Sequence, residues 1–197
     1  MNPSKVRIAC AVVAAAALAL TLGAPATAKK DKTPAIAAFS GHTINTNPGA
    51  LRGTNFVTIE IHRWTTDEER QAYLETLAEK GSDALVSSMR DSKERVGWIR
   101  LPGTTAYDLK YARQAETGDG RQIVIATDRP VSMGEVVFNR RTLDYGLTLV
   151  GFTMPPEGAG EGSIIVGAEL ELDNGQLTIT NAAMNPVRFG DVKQTKP

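Results

Sequence analysis

From Arg95 to Thr180 the chain is a succession of short alternating segments separated by tight turns, and that punctuation limits it to antiparallel pairing. Val96–Leu101, Tyr107–Gln114, Gln122–Thr127, Thr142–Met154, Ser163–Leu172 and Gln176–Thr180 carry β-branched, aromatic and aliphatic residues at strand spacing. Gly118-Asp119-Gly120 and Asp173-Asn174-Gly175 read as hairpin turns, because Asn and Gly readily take the positive φ angles of a type I′ turn. Strands joined this tightly lie antiparallel, since a parallel pair needs a crossover of a dozen or more residues. Strand and helix do not alternate along the chain, which argues against a parallel sheet with a dinucleotide crevice. No repeat at solenoid or propeller spacing is present.

Upstream, Phe56–Trp64 forms the first strand of this reading, with Val57, Ile59 and Ile61 alternating against Thr58, Glu60 and His62. Thr66-Asp67-Glu68-Glu69 fits a capping box, in which a hydroxyl reaches the N3 amide while the N3 carboxylate reaches back. A helix then follows with Tyr73, Leu74, Leu77 and Ala78 as its apolar stripe, ended by Gly81. Ser82 is placed to cap a second short helix carrying Leu85, Val86 and Met89. Val131–Phe138 reads either as a short helix or as an irregular crossover. The expected fold is therefore α+β: a mostly antiparallel, curled or partly closed β-sheet packed against a helical pair inserted after the first strand.

The first 28 residues have the form of a secretory signal peptide. Lys5 and Arg7 supply a basic start, Ile8 to Leu22 an uncharged apolar run, and Ala26-Thr27-Ala28 a small-x-small cleavage site. The run is short for a membrane span and is followed by Pro25 and small residues. Without an Arg-Arg pair it fits Sec export, to a periplasm or outside the cell. Residues 29–50 open with Lys29-Lys30-Asp31-Lys32, then hold Pro34, Gly41, Pro48 and Gly49, and read as a flexible tether. Residues 51–197 then make a single α+β domain.

Export leaves 169 of the 197 residues, enough to bury a core without disulfides or metal. The only cysteine is Cys10, inside the apolar run, so the exported chain has no thiolate nucleophile, disulfide or Cys-ligated metal. It carries 20 basic and 22 acidic side chains, a balance without the basic footprint of a nucleic-acid binder. No membrane span is expected in the exported chain.

Catalytic motifs are sparse. Gly-x-Ser-x-Gly, His-Glu-x-x-His and the EF-hand spacing are absent, as is Ser-x-x-Lys after residue 28. Of the two histidines, His42 falls in the tether and His62 shares a strand face with Glu60; the pair fits a polar outer face better than an acid–base pair or metal edge, because no third ligand is fixed by the sequence. Glu169 and Glu171 share a face and fit a solvated surface better than a pair of glycosidase carboxylates, which oppose each other across a cleft. Gly158-Ala159-Gly160-Glu161-Gly162 precedes a strand, so it reads as part of a mobile hairpin loop over 155–162 and lacks the helix a phosphate loop needs. These motifs call for no cofactor and no metal.

One constellation stands out. Asp108, Lys110, Tyr111 and Arg113 lie on one strand, Asp128 and Arg129 end the next, and Arg141, Asp144 and Tyr145 open a third. If those strands are neighbours, Arg forks suited to carboxylate or phosphate converge with Tyr and Asp groups. The same residues would serve as a structural Asp–Arg network pinning strand ends. We take Asp108, Tyr111, Arg113, Asp128, Arg129, Arg141, Asp144 and Tyr145 as ligand-binding candidates.

Val96-Gly97-Trp98-Ile99-Arg100, Asp108–Arg113, Ile123–Pro130 and Asp144-Tyr145 together resemble a group of exported proteins of soil bacteria, over residues 54–192. The resemblance implies an exported bacterial domain. It supplies no catalytic residue. The leading expectation is non-catalytic binding of a small anionic or apolar molecule, or of an envelope protein. A hydrolase using Asp108, Asp128, His62 and nearby arginines, and an assembly role in the cell envelope, are the alternatives.

Overall fold

The computed structural model describes residues 33–47, 53–131 and 146–197. Its ten strands are β1 (Ala37–Asn45), β2 (Gly53–Ile61), β3 (Gly97–Arg100), β4 (Tyr107–Thr117), β5 (Gly120–Thr127), β6 (Thr148–Met154), β7 (Gly160–Val166), β8 (Glu169–Asp173), β9 (Gln176–Asn181) and β10 (Val187–Thr195). Eight of them close into an antiparallel barrel in which each strand neighbours the next, from β1 through β7 to β10 and back to β1. β8 and β9 form a separate two-stranded hairpin between β7 and β10.

Antiparallel pairing and both tight turns are as read from the sequence. Thr117 pairs with Gly120, and Asp173 with Gln176, with Asn174 and Gly175 at φ 49° and 79°. The expected α+β arrangement is not found. The sheet closes completely, the described fold is mostly β, and one helix, not a helical pair, accompanies it. Closure depends on two strands that the sequence pattern hides. β1 falls within the stretch read as a tether, and β10 lies in the unassigned C-terminal segment; they pair with each other and with β2 and β7. The run Ser163–Leu172 divides into β7 and β8 at Gly167, where φ is 65°. Gly160 and Gly162 belong to β7, so the loop before it is shorter than expected. Of Val131–Phe138 only Val131 lies within the described residues, and it is buried.

Alternation sends one set of side chains inward along every barrel strand. Val57, Ile59 and Ile61 of β2 join Ile123 and Ile125 of β5, all fully buried, in one core. Three rings fill its centre: Phe152 stacks edge-on against Phe39 at 5.1 Å and against Phe189 at 5.6 Å. Edge-to-face contacts at this spacing suit the aromatic quadrupole. Eight strands leave an interior just wide enough for side chains, or for one small ligand; here side chains occupy it.

Helix α1 (Asp67–Asp91) lies against the outside of the wall. Its capping box is formed as read: Glu69 N–H donates to Thr66 Oγ1 at 3.2 Å and Thr66 N–H to Glu69 Oε2 at 2.8 Å. Gly81, at φ 80° and ψ −178°, breaks the helical geometry midway. The bend is sharp enough to let Tyr73 share a hydrogen bond with Ser92. In a straight helix those residues would stand about 28 Å apart at 1.5 Å per residue. Ser82 does not act as the expected cap; its Oγ accepts the Leu170 amide at 3.1 Å and ties the helix to β8.

Candidate functional site

A bulge decides what the outer wall presents. Leu109 pairs with Thr127 but Tyr111 pairs with Ala126, leaving Lys110 as an extra residue in β4. A bulge of this kind changes which face the following side chains take. Leu109 and Ala112 are buried in the barrel core, while Tyr111 and Arg113 lie opposite Ala126 and Val124 on the outer face. Thr65 secures the bulged strand, its amide donating to the Ala112 carbonyl at 2.8 Å and its hydroxyl accepting the Ala112 amide at 2.9 Å.

Outside this wall lies a groove of about 500 Å³. Its floor is the outer face of β4 and β5 with Leu147 and Leu149; one side is α1, through Leu74, Leu77, Leu85 and Met89; the other is the β8–β9 hairpin. Leu170 pairs with Ile179 and Leu172 with Leu177, so one hairpin face is apolar. Leu170, Leu172 and Leu177 line the groove, yet Leu177 remains 48% exposed. The hairpin therefore walls the groove without sealing it. Glu169 and Glu171 alternate with these leucines along β8, in agreement with the solvated face read from their spacing.

The polar lining comes from Arg70, Tyr73, Tyr111, Arg113, Gln114 and Gln122, and no lining residue is an Asp or Glu. Burial pushes the Tyr111 phenol above its ordinary pKa, opposed by Arg113 and by charge and hydrogen bonding from Arg70. Burial likewise raises Tyr73, with Glu69 adding to the rise and the bond to Ser92 opposing it. Both phenols are neutral donors at physiological pH, as an ordinary tyrosine already is, and the shifts move them further from ionisation. Arg113 Nη1 is paired with Asp67 at 2.7 Å. No carboxylate among the described residues lies within ion-pair distance of Arg70.

Two of the eight sequence candidates, Tyr111 and Arg113, thus line the groove. Asp108 is exposed, 3.4 Å from Arg95. Asp128 is buried at the end of β5 with Arg129 Nε 3.4 Å away, and its carbonyl accepts from Arg90. Asp108, Asp128 and Arg129 do not line the groove. Arg141, Asp144 and Tyr145 lie outside the described residues. Arg70 was not singled out by motif, although Arg70, Tyr73, Leu74 and Leu77 follow the i, i+3, i+4, i+7 spacing of one helix face. His62 Nε2 sits 3.7 Å from Glu60 Oε2, and His42 Nδ1 3.7 Å from Asp191. No group of three or more His, Cys, Asp or Glu among the described residues could hold a metal ion. No described helix is long and apolar enough to cross a membrane.

The chain matches no family model, no curated protein and no solved structure.

Proposed function

We propose that this is an exported, non-catalytic binding protein whose site is the groove between the barrel wall, α1 and the β8–β9 hairpin, and that it holds a small, largely apolar molecule there. One contrast carries the reading: the barrel interior is filled by buried side chains, while about 500 Å³ lined by leucines stays open outside the wall. That volume falls within the roughly 300–1,000 Å³ of small-molecule sites, which are mostly apolar with a few placed polar groups. Export rests on the signal-peptide pattern of residues 1–28 and on the resemblance to exported bacterial proteins.

A neutral fluorescent probe, N-phenyl-1-naphthylamine, tests the site. The protein is expected to bind it with a blue-shifted rise in emission. Ala115→Trp, which places a ring at the exposed rim, and Leu177→Glu, which charges the hairpin wall, are each expected to weaken it at least tenfold while leaving circular dichroism unchanged. Absent binding, or binding indifferent to both substitutions, overturns the reading. The intact mass of protein recovered from an exporting host tests export, with cleavage after Ala28 as the expected result.

A further inference from the structure

We propose that the groove selects a single-chain amphiphile with a carboxylate head, its chain lying along the leucines and its head held by Arg70 beside the Tyr111 hydroxyl. This inference rests on the groove being a binding site and adds the chemistry of what enters it.

Charge complementarity carries the choice. The groove is lined by two arginines and no acidic residue, in a chain whose basic and acidic side chains balance. The two arginines differ. Arg113 is already committed to Asp67 at 2.7 Å, whereas Arg70 has no carboxylate partner among the described residues. Arg70 is exposed at the mouth of the groove, on the first turns of α1, one helical turn from Leu74 and two from Leu77. A chain lying on those leucines therefore ends where its head meets the guanidinium. A guanidinium presents a planar fork that takes a carboxylate through two parallel N–H bonds. Tyr111, half-buried, adds an O–H donor from the floor. A cationic head would face the like charge of Arg70, since Arg113 is neutralised by Asp67, and a neutral alcohol would leave the fork unused.

Other concavities and patches offer less. The space bounded by Glu116, Arg121, Lys193 and Gln194 carries both signs of charge, and Arg121 is already bonded to Gln194 at 2.6 Å. The patch of Phe56, Ile44 and His42 on the outer face of β1 and β2 shows nothing that indicates its occupant.

Displacement of N-phenyl-1-naphthylamine by decanoate and decyltrimethylammonium, each below its micelle concentration, and by 1-decanol, below its solubility limit, tests the proposal. Decanoate is expected to displace the probe at about one-tenth the concentration of decanol, the ratio associated with one charge-assisted interaction, and the ammonium to be weakest. Arg70→Gln is expected to weaken decanoate about tenfold and to leave decanol unchanged; Arg70 is exposed, so the fold survives its loss. Equal displacement by decanoate and decanol, or an Arg70→Gln variant with undiminished decanoate affinity, overturns the carboxylate head and leaves the groove as an apolar site. Failure of the probe and of all three amphiphiles to bind removes the groove reading itself, and the head-group proposal with it.

Discussion

Gly162 and Gly151 face the same strand pair, β6 and β7, yet place opposite demands on their positions. A Cβ on Gly162 would lie 1.9 Å from the Gly151 carbonyl oxygen and 2.5 Å from Phe152 Cα, whereas a Cβ on Gly151 would meet nothing within 4 Å. The contact at Gly162 is with backbone, which cannot move aside without separating the strands. Gly162→Ala is therefore expected to cost about 1–3 kcal/mol, as forced overpacking does, and to lower the urea midpoint. Gly151→Ala is expected to leave the midpoint unchanged or raise it slightly, since glycine weakens a strand interior. Equal effects from the two substitutions would show that the β6–β7 spacing is not set by Gly162. Gly41 works differently. A Cβ there would come within 2.8 Å of the Phe189 ring, so an inward glycine on β1 makes room for an aromatic on β10. Local composition marks these glycines as breakers or loop residues. Their actual role is close approach between segments distant in sequence, which no local pattern records. The same limit applied to the groove: Tyr111 and Arg113 were legible as polar groups on a strand, but the bulge at Lys110 that places them outside the barrel is a property of pairing with β5.

Elements with a local cause were readable. The capping box needs only four residues, and the β8–β9 turn only Asn174 and Gly175. Glu69 does more than cap, because its two oxygens also accept from Arg63 at 2.8 Å each. That bonding, with the Thr66 amide adding to it, outweighs partial burial and holds the carboxyl below its usual value of 4.5. A folded-state pKa below the unfolded one gives stability that is present above the unfolded value and lost as pH falls through the folded one. Gln at position 69 preserves the capping geometry but removes the charge. Glu69→Gln is accordingly expected to lower the thermal midpoint at pH 7, and the gap from the parent protein is expected to close as the pH is taken well below 4.5. A gap that persists in acid would mean that Arg63 contributes little to holding Glu69. Thr66→Ala, which removes the hydroxyl acceptor, is expected to cost about 1 kcal/mol over the whole range. β1 and β10 were illegible for a physical reason. The inward residues of β1 after Phe39 are Gly41, Thr43 and Asn45, too small or polar to alternate visibly against the outward ones. In β10 the buried positions run Val187, Phe189 and then Val192, because Asp191 takes φ 51° and the register shifts.

At the scale of the whole molecule those two strands decide the architecture. Six consecutive neighbours, β2 through β7, were present in the sequence reading in some form, and alone they make an open curled sheet with two unpaired edges. Adding β1 beside β2 and β10 beside β7, and pairing the two with each other, converts that sheet into a barrel without edges. Closure also brings Phe39 and Phe189 from the two ends of the chain onto Phe152, so the central aromatic cluster does not exist until both strands dock. An unclosed sheet would expose backbone donors and acceptors along β2 and β7 and leave half of that cluster wet, which favours association with other chains. The domain boundary at residue 51 and the structure thus make different predictions about truncation. A chain of residues 33–197 keeps the whole described fold and is expected to be monomeric, with a single cooperative thermal transition. A chain of residues 51–197 lacks β1, and one ending at Pro186 lacks β10; both are expected to lose the cooperative transition and to elute as aggregates on size exclusion. Retention of a sharp, monomeric transition by the 51–197 chain would mean that β1 is dispensable and that the sheet, not the closed barrel, is the folding unit. The groove outside β4 and β5 takes no side chain from β1 or β10, so a truncated chain that did stay monomeric is expected still to bind the probe, with Leu177→Glu weakening it as in the full chain.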